Sequence, residues 1–375
     1  MLERVYQDLG SFLEKGKVLI LYGARQVGKS TLLKAFLDKT TMKYRLDTGD
    51  NLRMSNLLGS GDYESILEYA EAYELIAIDE AQEIENIGKA LKIIVDYFPE
   101  KKVVVTGSSS FNLSQKVGEP LTGRKISRKL YPLSQQELLK EYGRFELKEK
   151  LEEFLLFGTY PEVITTKSRK RKILLLNELV DSYLFRDLLQ HERVKSPKIL
   201  VHLVKLLAFQ IGSEVSLNEL SKTLGIDIKT VSRYLDLLEK SFVIQSLQGF
   251  SRNLRKEVTS KKKYYFLDIG IRNAIVSQFN SLENRNDFGA LFENFCFIER
   301  LKKHDYEEYY GNHYFWRTYD GKEIDFVEER DDFLSGYECK FSAIKNIQAP
   351  KLWSATYTNS SFSVISRKNY LDFLL

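Results

Sequence analysis

The sequence predicts an α/β protein in three parts: a parallel-sheet domain over residues 1–135, a helical middle over 136–250 and a second α/β domain over 251–375. Three observations predict it. Short runs of Val, Ile and Leu alternate with helical patterns through the first 135 residues, as buried parallel strands joined by helices do. A glycine-rich loop follows the first of those runs and opens the first helix. After Pro132 the apolar spacing changes to three and four residues, and after Phe242 it turns mixed.

Lys17–Tyr22 (KVLILY) is the first strand, and Ser30–Asp38 the helix that follows its loop. Tyr44–Leu46, Leu75–Ile78 and Val103–Thr106 are further strands, separated by helices over Asp62–Ala72 and Asn86–Phe98. Lys125–Leu130 is a basic, strand-like stretch. Helical spacing covers Arg171–Gln190 and Lys198–Ile211. Ser216–Ile226 reads as a short helix ending at a Gly225 turn, and Asp227–Lys240 as a second helix capped by Asp227, with Ile228, Val231, Leu235 and Leu238 on its buried face. Phe242–Leu247 and Tyr264–Leu267 are strands, and Phe288–Lys303 is a long helix. His313–Arg317, Glu323–Val327 and Gly336–Phe341 complete the strands.

The 375 residues carry 56 Lys and Arg against 52 Asp and Glu, a net +4, and 43% are hydrophobic, which excludes a largely disordered chain. The charge is uneven. Residues 1–100 hold 12 basic and 17 acidic side chains, residues 101–280 hold 32 and 19, and the remainder 12 and 16. A basic middle points to a polyanionic partner. Two cysteines form neither a disulfide framework nor a C-x-x-C metal pattern, which fits a reducing cytoplasm. The charged N-terminus has no signal-peptide pattern, and no apolar run approaches the ~20 residues that cross a bilayer, so no membrane partner is expected.

Gly23-Ala24-Arg25-Gln26-Val27-Gly28-Lys29-Ser30, followed by Thr31, fits G-x-x-x-x-G-K-[ST] between a strand and a helix. Its glycines let backbone N–H groups face phosphates, Lys29 reaches the β- and γ-phosphates, and Ser30 offers its hydroxyl to Mg²⁺. Asp79 and Glu80 end the LIAI strand: Asp79 is the expected second Mg²⁺ residue and Glu80 the general base. Ser108, with Thr106 close behind, is placed to sense a γ-phosphate. Arg124, or Arg128, is a candidate arginine finger, supplied from a neighbouring copy in a homo-oligomer formed through these domains. No [NT]-K-x-D motif reads guanine, so the nucleotide is ATP.

The two helices over 216–240 follow helix-turn-helix logic, with Phe242–Leu247 beside them suggesting a wing. Lys229, Thr230 and Arg233 face DNA (or RNA) in this reading, and Arg252, Arg255 and Lys256 of the basic run 251–263 neutralise phosphates. A protein-docking helix with a solvated basic loop is the alternative. In the last segment Glu338 and Lys340 share a strand face, and pairing with the Asp325 strand brings Asp, Glu and Lys together, with Glu293 approaching from a helix. Asp325, Glu338 and Glu293 would then collect a second Mg²⁺ or Mn²⁺, with Lys340 assisting; the alternative is a surface ion pair.

The motifs together resemble a prokaryotic family of AAA-type ATPases with a C-terminal PD-(D/E)XK nuclease-like domain. Besides the loop and Ile78–Gln82, the marks are Thr106–Ser109, Gly123-Arg124, Tyr131–Ser134, Gly158–Glu162, Phe266–Gly270, Leu291–Asn294, Phe315–Arg317, Glu323–Phe326 and Glu338–Lys340. The resemblance implies an additional-strand P-loop NTPase domain, a winged helix, a restriction-endonuclease-like α/β domain, and ATP with Mg²⁺. Ile324 stands where the nuclease motif has its proline. Three functions follow: ATP-gated cleavage of nucleic acid, an ATP switch whose nuclease-like domain only binds it, and a protein-remodelling ATPase in which these modules dock partners.

Overall fold

The computed structural model describes residues 2–108, 120–182, 196–251, 261–318, 321–342 and 347–375. Contacts divide the chain into two units, one of Glu3–Pro132 with Lys240–Phe242, the other of Leu133–Glu239 with Val243–Leu375.

The first unit runs β1 (Val18–Tyr22), α1 (Lys29–Leu37), β2 (Tyr44–Thr48), α2 (Leu52–Gly59), α3 (Tyr63–Glu71), β3 (Leu75–Asp79), α4 (Ile87–Tyr97), β4 (Lys102–Gly107) and β5 (Lys125–Lys129). Its five strands are all parallel, in the order β2-β3-β4-β1-β5. One strand, β4, therefore lies between the strand that enters the glycine-rich loop and the strand that ends in Asp79. The central strands are Val, Ile and Leu with almost no exposed area, because helices cover both faces. Val18, Ile20, Ile76, Ile78, Val103 and Val105 pack against Leu91, Ile94 and Val95 of α4 and Ile66 of α3. Asp62 caps α3 by accepting the Ser65 amide at 3.1 Å.

The second unit begins with α5 (Gln135–Glu149), α6 (Leu151–Phe157), α7 (Pro161–Thr165), α8 (Arg169–Leu179) and α9 (Pro197–Phe209). Next come β6 (Glu214–Val215), α10 (Leu217–Leu224), α11 (Ile228–Lys240), β7 (Ile244–Gly249), β8 (Lys262–Phe266) and α12 (Ile269–Ile275). It closes with α13 (Phe288–Tyr306), β9 (Asn312–Arg317), β10 (Glu323–Arg330), β11 (Phe333–Cys339), α14 (Lys351–Thr356), β12 (Ser360–Ile365) and α15 (Tyr370–Leu374). Seven strands form one sheet in the order β12-β11-β10-β9-β7-β8-β6. β9, β10 and β11 make an antiparallel meander and β12 joins β11 in parallel. β7 and β8 form a hairpin, with β6 antiparallel to β8. β7, expected before a border at 250, pairs in parallel with β9 beyond it, so the middle and C-terminal segments share this sheet.

Ser216 caps α10, Gly225 ends it at φ +65°, and Asp227 accepts the Thr230 amide at 2.9 Å to start α11. The buried face of α11 is Val231, Tyr234, Leu235, Leu237 and Leu238. Ile228, expected on that face, is 43% exposed instead, because it is the first helical residue, ahead of the first turn that packs. Among the described residues no helix is long and apolar enough to cross a membrane.

A buried histidine pair gives this unit a pH dependence. His304 Nδ1 and His313 Nε2 lie 2.7 Å apart, beside Glu328, Arg300 and the ring of Tyr309. Burial, then Arg300 and His313, holds His304 down to about 3, and burial lowers His313 as well. Unfolded histidine takes its proton near 6.5. The pair's contribution to stability is therefore fully present well above pH 6.5 and falls as pH drops through it, because at these two residues only the unfolded chain gains protons there. Between pH 7 and 5.5, urea unfolding is expected to show the parent losing about 1 kcal/mol through His304, with His313 adding in the same direction, relative to a His304→Gln/His313→Gln chain; both chains keep the opposing contribution of Glu293, raised to about 7.

Candidate active site

The loop between β1 and α1 is shaped by two glycines. Gly23 has φ +153°, and a Cβ there would lie 2.0 Å from the Leu130 carbonyl oxygen. Gly28 has φ +98° and forms the N-cap of α1, where a glycine supplies no side-chain acceptor and leaves the first amides of the helix to a ligand. Ala24 and Val27 are buried, Arg25 is half-buried, and Gln26 and Thr31 are exposed. Arg4, which the sequence reading passed over, is buried and donates to the Val27 and Tyr131 carbonyls, both at 2.6 Å. It braces the loop from outside.

Lys29 is buried and donates to the carbonyls of Gly23 (3.0 Å) and Ala24 (2.7 Å). Burial lowers its pKa to about 8 against the opposing pull of Glu80 and Asp79. An anionic ligand would restore the charge that burial disfavours. Ser30 Oγ lies 3.0 Å from Asp79 Oδ1. Adjacent ligands of an octahedral Mg²⁺ stand about 2.9 Å apart, given metal–oxygen distances of ~2.1 Å. The two oxygens fit that ion.

β4 organises the carboxylate pair. Thr106 Oγ donates to Asp79 Oδ1 and accepts the Glu80 amide at 3.1 Å. Glu80 sits at φ +51°, unusual for a residue other than glycine, and turns the chain sharply off the strand end. Gln82, a buried residue that the sequence reading gave no role, holds the rest together. Its Nε2 donates to Glu80 Oε2 at 2.5 Å and to Ser108 Oγ at 3.1 Å, while its Oε1 accepts the Ser108 amide at 3.3 Å. Of the two hydroxyls at the end of β4, Ser108 therefore meets Glu80 through Gln82, and Thr106 joins Ser30 on Asp79.

Arg124 is not at this site. Lys125 pairs with Val18 and Lys129 with Tyr22, so Arg124 precedes the far end of β5, four residues (about 13 Å) from the loop end of the sheet. There it pairs with Asp96 on the surface. The guanidinium of Arg128 lies over the Phe12 ring.

In the second unit β10 and β11 bring Asp325 and Glu338 together, as the spacing led one to expect. Asp325 accepts the Cys339 amide at 2.8 Å, and Glu338 pairs with Lys340 at 2.6 Å, although Lys340 lies just past the end of β11. Glu293 on α13 joins them, but engaged: its Oε1 accepts Lys263 Nζ at 3.1 Å and the Tyr265 hydroxyl at 2.6 Å. Lys263 also pairs with Glu323. Burial raises the pKa values of Glu293, Asp325 and Glu338, with Asp325 adding to the rise at both glutamates. Among the described residues no group of three or more His, Cys, Asp or Glu side chains is arranged to hold a metal ion. The donor set does not fit the expected second ion, because an ammonium group stands among the carboxylates. Lys263 had been read only as one cation of a basic run. The missed signal was strand alternation, which puts Lys263 and Tyr265 on one face of β8.

On α11, Lys229 and Arg233 are exposed. Thr230 is occupied, its hydroxyl donating to Asp227 Oδ2 at 2.7 Å. Arg252, Arg255 and Lys256 lie outside the described residues.

Three families match successive parts of the chain: an AAA domain over residues 15–139, and two domains of unknown function, DUF8612 over 148–282 and DUF4143 over 288–369. A Haemophilus influenzae protein, described as uncharacterized, is 27% identical over 366 residues, covering 92% of this chain and 87% of its own. A second uncharacterized protein, from Methanocaldococcus jannaschii, is 24% identical over 344 residues, covering 86% and 74%. Among solved structures, a Walker-type ATPase of Pyrococcus abyssi matches with a TM-score of 0.50 and 17% identity, over 74% of this chain and 96% of that one. That likeness is one of fold. Residues 15–139, which match the AAA domain family, have a P-loop-type α/β fold, with the glycine-rich loop, the carboxylate pair and the polar end of β4 gathered at one end of a five-stranded parallel sheet.

Proposed function

We propose that the chain hydrolyses ATP with Mg²⁺ and uses the cycle as a nucleic-acid-associated switch. The observation that carries the reading is the convergence of Ser30, Asp79 and Thr106 beside a buried Lys29, with Glu80 held by Gln82. The amides of Gly28–Ser30 bind the β- and γ-phosphates, and Lys29 neutralises them. Ser30 and Asp79 would hold Mg²⁺, which supplies charge neutralisation at the phosphates. Glu80 orients a water and takes its proton as the water oxygen bonds to the γ-phosphorus and ADP leaves. Ser108 reports the γ-phosphate to Glu80 through Gln82. Arg124, at the far end of its own sheet, is assigned to a neighbouring copy in a homo-oligomer.

The nucleic-acid half rests on element order. A helix (α9), a short strand (β6), two helices (α10, α11) and a hairpin (β7–β8), with β6, β8 and β7 adjacent and antiparallel, support a winged helix. Its hairpin leads into the basic run. The order α13, three-strand meander, α14, β12, with Asp325 on the second meander strand and Glu338 on the third, supports the nuclease-like reading of the C-terminal segment. A protein-docking role is favoured by the exposed Ile228 and the occupied Thr230 hydroxyl at the head of α11.

Hydrolysis of ATP that stops on chelation of Mg²⁺ tests the first half. For the second, fluorescent duplex DNA is titrated at several salt concentrations. Lys229→Ala/Arg233→Ala is expected to lower the salt slope by about two, roughly 0.9 per lost phosphate contact. Equal slopes in the parent and the variant, with ATP turnover intact, assign α11 to a protein partner.

A further inference from the structure

The carboxylate cluster of the second unit contains a cation that belongs to the chain. Lys263, on β8, is 1% exposed, yet lysine is rarely buried without partners. Its ammonium group reaches Glu293 on α13 at 3.1 Å and pairs with Glu323 on β10. Each neighbouring carboxylate has a donor of its own. Glu293 Oε1 also takes the Tyr265 hydroxyl, Asp325 Oδ2 the Cys339 amide, Glu338 Oε1 the Lys340 ammonium, and Glu323 lies near Arg317. Burial alone would lower the pKa of Lys263, but Glu293, Glu323 and Asp325 outweigh it and raise it, so the group stays charged at any working pH.

We infer that Lys263 is the resident cation of the Asp325–Glu338 cluster, and that the cluster takes no divalent ion in the folded chain. A divalent cation needs six or more oxygens converging on it with no competing positive charge among them. Here a buried, doubly ion-paired ammonium group holds the position between α13 and β10 from which such an ion would bind Glu293, and it repels any ion placed against Asp325. One fully buried carboxylate oxygen of the cluster, Glu338 Oε2, lacks a donor among the described residues. It is the atom an ion would take first if Lys263 were removed. The cluster then works as an internal ion network that ties the β7–β8 hairpin to α13 and β10, and the C-terminal segment contacts nucleic acid or a partner without cutting through metal-activated water. The inference is independent of the nucleotide site.

Mn²⁺ binding to the full chain without nucleotide, followed by electron paramagnetic resonance of the free ion, tests it. The parent and Asp325→Asn should take up equal amounts of Mn²⁺, since any ion at Ser30 and Asp79 is common to both. Lys263→Met should gain one equivalent at least tenfold tighter than any site it shares with the parent, and Lys263→Met/Asp325→Asn should lose it. One equivalent more in the parent than in Asp325→Asn overturns the inference, as does a folded Lys263→Met chain that gains none. If Lys263→Met does not fold, the comparison of parent with Asp325→Asn, repeated with Glu338→Gln, still decides.

Discussion

Glu80→Gln is expected to bind ATP about as tightly as the parent chain and to turn it over at least a hundredfold more slowly. The amide keeps the length of the side chain and can keep the contact with Gln82, whose Oε1 and Nε2 offer both an acceptor and a donor. What it loses is the ability to take a proton, and a positioned general base contributes roughly 10²–10⁴ in rate. Lys29→Ala is expected to fail differently. With the buried ammonium group gone, binding itself is lost, because Lys29 is the buried cation of the loop, facing Asp79 and Glu80. A fluorescent ATP analogue separates the two, and turnover is followed as phosphate release. Parent-rate hydrolysis by Glu80→Gln would remove Glu80 from the role of base and leave Asp79 to be tested next.

Gly158→Ala should unfold the second unit or cost it at least about 3 kcal/mol. Gly158 follows α6 at φ +69° and ψ −160°, a conformation essentially confined to glycine, worth ~1–3 kcal/mol of strain in any other residue. A Cβ there would lie 2.0 Å from Asp268 Oδ1, so the carboxyl group must move. That group is buried and receives the Thr159 amide at 2.7 Å and the Ile271 amide at 3.1 Å, the second as the cap of α12. Displacing it removes a cap worth ~1 kcal/mol and strands buried amides at ~1–3 kcal/mol each. Gly225→Ala is the control. Gly225 also has positive φ, +65°, but a Cβ there meets nothing within 4 Å, and only about 1 kcal/mol of backbone strain is expected. Urea unfolding followed in the second unit distinguishes them; equal losses would mean that φ, rather than the Asp268 contact, sets the cost.

The two glycines also show what the sequence can and cannot say. Gly158 stood out as part of a motif, but its partner is 110 residues away, and no spacing rule pairs it with Asp268. The first unit was legible because its strands are buried on both faces and read as uninterrupted Val and Ile, with the loop and Asp79 placed by local order alone. β12 was missed because Ser360–Ile365 is a sheet-edge strand with three serines, and β6 because two residues carry no period. Arg124 was drawn to the nucleotide by its motif. Position along the chain does not reveal which end of a strand a residue occupies, and here it is the end away from the loop. Lys263 and Gln82 escaped for a related reason: each acquires its role from side chains on other strands or turns.

The pairing of β7 with β9 has a consequence for how the protein is made. Gln248 waits for Tyr314 and Gly249 for Phe315, more than sixty residues later in the chain. At translation rates of ~5–20 residues per second, one edge of the β7–β8 hairpin stays open for several seconds on each ribosome. Open strand edges recruit other open edges. A higher density of nascent chains, as in strong overexpression, should therefore favour exchange of this hairpin between neighbouring chains, and weaker induction should raise the soluble yield.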